Sequence, residues 1–128
     1  MNMITPIYAA IIALIFVVLS VRTLLLRRRL GVAIGTGEDQ KLTRAMRVHS
    51  NFSEYVPLAL ILIYFLETET DTDLWIHVLC ISLIGGRLLH AYGVSQVEEN
   101  YRFRVAGMIL TLGCLISAST RLIVSYVS

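Results

Sequence analysis

Apolar residues run almost unbroken from Met3 to Leu26, from Val56 to Leu66, from Leu74 to about Val94, and from about Arg102 to Val127. The first, third and last runs are each long enough for a helix crossing a hydrocarbon core of about 30 Å. The second run reaches only about 16 Å at 1.5 Å per residue, so the polar residues before it must supply the rest of a crossing. The pattern predicts an all-α protein, an integral membrane four-helix bundle with helices over about 4–26, 40–66, 74–94 and 102–127. A single domain over 1–128 accounts for the length.

The polar half of helix two is patterned. Arg44, Arg47, Asn51 and Glu54 fall at i, i+3, i+7 and i+10, within an arc of roughly 80° on one face. Facing lipid, the three charges would cost on the order of 8 to 10 kcal/mol, so the stripe is expected to face protein or a wet cavity. The alternative is that these turns protrude into the cytoplasm. Pro57 has no N–H for the Ser53 carbonyl, and a bend or a freed carbonyl is expected one turn from Glu54.

Composition agrees with a membrane class: 56% of the 128 residues are hydrophobic and the mean hydropathy is +0.73. The formal net charge of +2 is too small to argue for nucleic acid, and the basic residues flank apolar spans, where topology explains them. Cys80 and Cys114 stand singly in apolar segments, which implies core residues and neither a disulfide nor a metal site. Gly31, Gly35 and Gly37 lie in a connector with neither GxGxxG spacing nor a P-loop lysine. The sequon Asn51-Phe52-Ser53 falls within a membrane helix, where glycosylation is not expected.

Arg27-Arg28-Arg29 follows the first apolar run rather than preceding it, so this run is expected to be retained as a span. Glu67 to Asp73 reads as an acidic connector. Arg87 and His90 share a face of helix three, Gly85-Gly86 offers room for a neighbouring backbone, and His77 reads as a hydrogen-bonded structural residue. On helix four, Arg104, Gly107, Thr111, Cys114, Ala118, Arg121 and Ser125 form a small and polar stripe suited to packing against another helix. The basic clusters all fall on loops one and three, which places those loops in the cytoplasm and both termini outside.

The run from Arg44 through Arg47, Asn51, Glu54 and Tyr55 to Leu58 resembles the second-helix motif of the MAPEG family, the membrane-associated proteins in eicosanoid and glutathione metabolism. The similarity extends to Arg27-Arg28-Arg29, to Arg87-Leu88-Leu89-His90-Ala91-Tyr92-Gly93 and to Arg104, and is greatest to short bacterial members. The resemblance implies a homotrimer in a bacterial inner membrane, binding glutathione as co-substrate in an interfacial cleft. It assigns Arg47, Asn51, Glu54 and Tyr55 to glutathione, with Arg27 reaching in from a neighbouring subunit and His90 contributing from helix three. Arg104 matches the arginine that stabilises the thiolate, with Arg102 as its rival.

The chemistry of these residue types suits that ligand. Arginines pair with the two carboxylates of glutathione and Glu54 suits its ammonium, while Arg47 and Glu54 stand about 10 Å apart along the helix. Lowering a thiol pKa from about 8.5 by two units needs roughly 2.7 kcal/mol, within the reach of one guanidinium in a low-dielectric site. The implied function is a glutathione transferase or peroxidase acting on lipophilic electrophiles or hydroperoxides from the bilayer. The alternatives are a non-catalytic lipid-binding or scaffold protein on the same fold, and a small channel or transporter.

Overall fold

The computed structural model describes residues 3–69 and 73–127. Four helices make up the chain: α1 (Thr5–Leu30), α2 (Gln40–Glu69), α3 (Asp73–Ser95) and α4 (Tyr101–Val127). Within them Thr5–Leu30, Leu74–Ser95 and Tyr101–Val127 are long and apolar enough to cross a membrane. The second helix is the longest at 30 residues, but its polar first half keeps it out of that group.

Local chemistry sets the ends. Asp39 caps α2, its Oδ1 accepting from Leu42 N–H at 2.7 Å, and Asn100 caps α4 through Arg102 N–H at 3.1 Å. Gly31 takes φ 66° and closes α1, with Val32 N–H donating to the Arg27 carbonyl and Gly31 N–H to that of Arg28. Nothing breaks the helix before that glycine. The expected end at Leu26 is therefore too early, and Arg27 to Arg29 form the last turn of α1, where cations complement the helix dipole.

The acidic connector also needs correction. Glu67 and Glu69 belong to α2, and residues 70–72 of the expected connector lie outside the described residues. Glu67 is buried, at 4% exposure. Its carboxylate accepts from the backbone N–H groups of Ile4 and Thr5, the latter at 3.0 Å. A residue from the far end of α2 thus satisfies donors that the first turn of α1 would otherwise leave open.

Contacts along α1 and α2 set an antiparallel register: Glu67 meets Ile4 and Thr5, His49 Nε2 meets Ser20 Oγ at 3.0 Å, and Met46 meets Arg27. The second helix packs on α1, α3 and α4 and is the hub of the bundle. Its buried residues Val48, Phe52, Val56, Ala59, Ile63 and Leu66 recur at i+3 and i+4 and join Ile12, Leu19, Ile76, Leu79, Leu83 and Ala118 in one core.

The tightest pairing is α3 on α4. Buried Gly107, Thr111, Cys114 and Ala118 face inward, as the small-residue stripe predicts. A Cβ on Gly107 would stand 2.5 Å from the Gly86 carbonyl oxygen and 2.6 Å from His90 N, so only glycine permits this approach. Of the pair noted in the sequence, Gly86 makes the contact while Gly85 faces open space.

Candidate functional site: an arginine groove at one end of the bundle

The starts of α2 and α4 and the loop between α3 and α4 meet at one end of the bundle. A groove of about 500 Å³ opens between them, lined among others by Arg44, Arg47, Val94, Glu99, Tyr101 and Arg104. Its volume lies within the range of about 300 to 1,000 Å³ common to small-molecule sites. Three guanidiniums line it with one carboxylate, so the groove carries an excess of positive charge.

Glu99 organises it. The carboxylate, with 4% of its side chain exposed, takes Arg44 Nη1 at 2.9 Å on one oxygen and lies 3.7 Å from Arg104 Nη1 on the other. Arg44 also donates to the Val94 carbonyl at 3.0 Å, so it is committed to the loop. Arg104 is 47% exposed and Arg47 is exposed; both keep donors for a ligand. Gly93 places Arg104, because a Cβ there would stand 2.8 Å from Arg104 N. The structural role of Glu99 was missed from the sequence. Its one signal was an acid between clusters of arginines.

The residues singled out in the sequence divide into groups. Arg47 and Arg104, 57 positions apart, share the groove. Arg102, the rival of Arg104, is exposed and contributes no lining. Asn51 and Tyr55 are half-buried and meet through a residue that the sequence reading left without a role, Arg87. Its Nη1 donates to Asn51 Oδ1 at 2.5 Å, Nε to Thr111 Oγ1 at 3.0 Å and Nη2 to Met108 Sδ at 3.3 Å. Its guanidinium lies 5.6 Å from the centroid of the Tyr55 ring, within range for cation–π attraction. The signal was available, since a charge in the middle of a span marks a site by default.

His90 is buried where α3 crosses α4, against Gly107, within electrostatic reach of Arg87, Arg104 and Glu99. Glu54 is exposed on the surface of α2. Arg27 lies apart from the groove, in a crevice of about 320 Å³ between α1 and α2. Its Nη1 donates to the carbonyls of Val32, Ala33 and Gly35 of its own chain, the last at 2.9 Å. Arg22, a turn and a half before Arg27 on α1, donates to Ser95 Oγ at 2.7 Å at the end of α3, and Arg121 is exposed near the end of α4.

Fold and site together define a small helical membrane protein with an arginine-lined groove at one end of its bundle. The MAPEG family model matches residues 5–124, and the chain belongs to that family. It is similar to the inner membrane protein YecN of Escherichia coli (strain K12), with 35% identity over 109 residues covering 85% of this chain and 82% of that protein. The same figures hold for the inner membrane protein YecN of E. coli O6:H1 (strain CFT073 / ATCC 700928 / UPEC).

Proposed function

We propose that this protein is an integral-membrane glutathione transferase or glutathione-dependent peroxidase, working as a homotrimer in a bacterial inner membrane with both termini external. The observation that carries the reading is the convergence of Arg47 and Arg104 on one groove from separate helices. Arg47 takes a glutathione carboxylate, Asn51 and Tyr55 line the approach, and Glu54 takes the ammonium. His90 lies behind them. Arg104 faces the thiolate and lowers its pKa; burial under a neighbouring subunit strengthens that effect by lowering the local dielectric.

The thiolate attacks an electrophilic carbon of a lipophilic substrate entering from the bilayer. A C–S bond forms and the leaving group departs with its electron pair. With a hydroperoxide, the thiolate attacks the terminal oxygen, the O–O bond breaks, and the alkoxide takes up a proton. The resulting sulfenic acid reacts with a second glutathione to give disulfide and water.

The trimer rests on exposed polar groups. Arg47 and Glu54 lie uncovered on a single subunit, and a charge facing lipid costs about 2.5 to 3.5 kcal/mol. A neighbour that covers this face removes the cost and completes the cleft, with Arg27 reaching across. The inner-membrane location in the name of the E. coli relative supports the placement proposed for this chain.

Calorimetric titration of glutathione into the purified protein, followed by a thiolate absorbance scan against pH, tests the reading. Binding with thiolate formed at neutral pH is expected. Absence of binding overturns it, and binding without thiolate favours a non-catalytic lipid-binding or scaffold protein. Mass measurement in nanodiscs that finds only monomer would exclude the trimer.

A further inference from the structure

Arg87 is one of the largest fully buried side chains of the bundle, at 2% exposure, and both ion pairs among the described residues go to Glu99 instead. Its contacts are an amide oxygen, a hydroxyl, a thioether and an aromatic face. A guanidinium carries donors only, so the atom of Asn51 that faces it has to be the amide oxygen. The amide nitrogen is thereby turned away from Arg87, and among the described residues it has no hydrogen-bond partner. Asn51 stands four residues after Arg47, three before Glu54 and four before Tyr55, on the same stretch of α2 surface.

We propose that Arg87 is a positioning residue that locks the Asn51 amide with its nitrogen outward, so that Asn51 recognises the ligand as a hydrogen-bond donor. The group it recognises is then a carbonyl or carboxylate oxygen. This deepens the glutathione reading and rests on it, because it selects which atoms of the tripeptide can lie between the Arg47 and Glu54 contacts: an acceptor oxygen, and not an N–H. Thr111 supports the lock. Its hydroxyl donates to the Gly107 carbonyl at 2.8 Å, which leaves its lone pairs for Arg87 Nε.

Asn51→Asp separates the two halves of the proposal. The aspartate still gives Arg87 an oxygen, now charged, but replaces the outward donor with an acceptor. In detergent without ligand, Asn51→Asp is expected to melt at or above the wild-type temperature, while Asn51→Ala melts lower. If Asp destabilises as much as Ala, the orientation is wrong. In glutathione calorimetry, Asn51→Asp is expected to lose at least tenfold in affinity, and wild-type affinity in this variant overturns the donor role.

The part played by Arg87 is read from affinity. Arg87→Lys, which keeps a donor-only cation against the amide oxygen, should bind within about threefold of wild type, and Arg87→Met should lose about tenfold. Equal affinity in the two variants overturns action through Asn51. Absence of glutathione binding in the wild type, together with the expected order of melting temperatures, would overturn the ligand reading and uphold the orientation.

Discussion

The two ends of the bundle both hold buried carboxylates, and they use them differently. At one end Glu67 accepts from two backbone N–H groups of α1, beside a Tyr8–His77 hydrogen bond of 2.8 Å. No arginine is needed there, because the start of a helix is itself a partial positive charge. At the other end Glu99 faces Arg44 and Arg104 while Arg47 has no carboxylate partner among the described residues. The first arrangement is closed by the chain's own backbone. The second keeps cations in excess, which is what an anion site requires. A buried charge therefore says little about function until its partners are counted.

The strongest way to break this contrast is at the α3–α4 contact that supports the groove. Gly107→Ala should cost about 3 kcal/mol, because its Cβ cannot fit without parting the helices. It should also raise the bound thiol's pKa, as Arg104 moves with α4; thermal melting and a titration of the bound thiol check both effects. Arg104→Ala is expected to spare binding of the thiol form and to raise the bound thiol's pKa by about two units, cutting turnover roughly 100-fold at low pH. The loss should shrink as pH rises and vanish above the variant's thiol pKa, where thiolate forms without help. A pH–rate profile that falls by the same factor at every pH would remove Arg104 from the thiolate.

Arg47→Ala and Glu54→Ala should each weaken glutathione binding roughly 10- to 150-fold, as expected for one charge-assisted contact of about 1.5 to 3 kcal/mol. Their melting temperatures should hardly change, because both side chains are exposed. Glu67→Ala sharpens the comparison from the other end. It leaves two backbone donors unpaired and should cost about 2 to 4 kcal/mol of stability, with glutathione affinity unaltered. Altered affinity would show that the two ends are coupled. The smallest effect is expected from Arg102→Ala, near zero in both binding and thiol titration, since its side chain lies outside the groove. Single cysteines at Glu69 and Gln96 complete the series. An impermeant thiol reagent applied from outside should label the first and spare the second, and the reverse pattern would invert the proposed topology.

Four helices, their order and most of their ends follow from the apolar runs and the breakers between them. Gly31 breaks the chain between the first two apolar runs, and Gly107, Thr111, Cys114 and Ala118 face a neighbour as their spacing demands. The stripe on α2 was equally visible, but its unity did not survive folding. Arg44 is tied to Glu99, Asn51 to Arg87, and Arg47 and Glu54 remain uncovered. Residues that share a helix face can meet different neighbours when three other helices pack around it.

Sequence by itself determined the class of protein, the helical elements and the placing of Arg44, Arg47, Asn51 and Glu54 on one stripe of α2, because hydrophobic periodicity and charge placement are local properties; Tyr55, His90 and Arg104 entered through the family resemblance. It also carried the family motif. The tertiary structure alone decided that Glu67 caps α1 and is not part of a solvated connector, that Glu99 holds Arg44 beside Arg104, and that Arg87 links Asn51, Tyr55 and Thr111. The physical reason is range. A run of residues reports its own periodicity, whereas a buried charge takes whichever partner the packing brings within about 3 Å, and those partners lie 24 to 63 residues away along the chain.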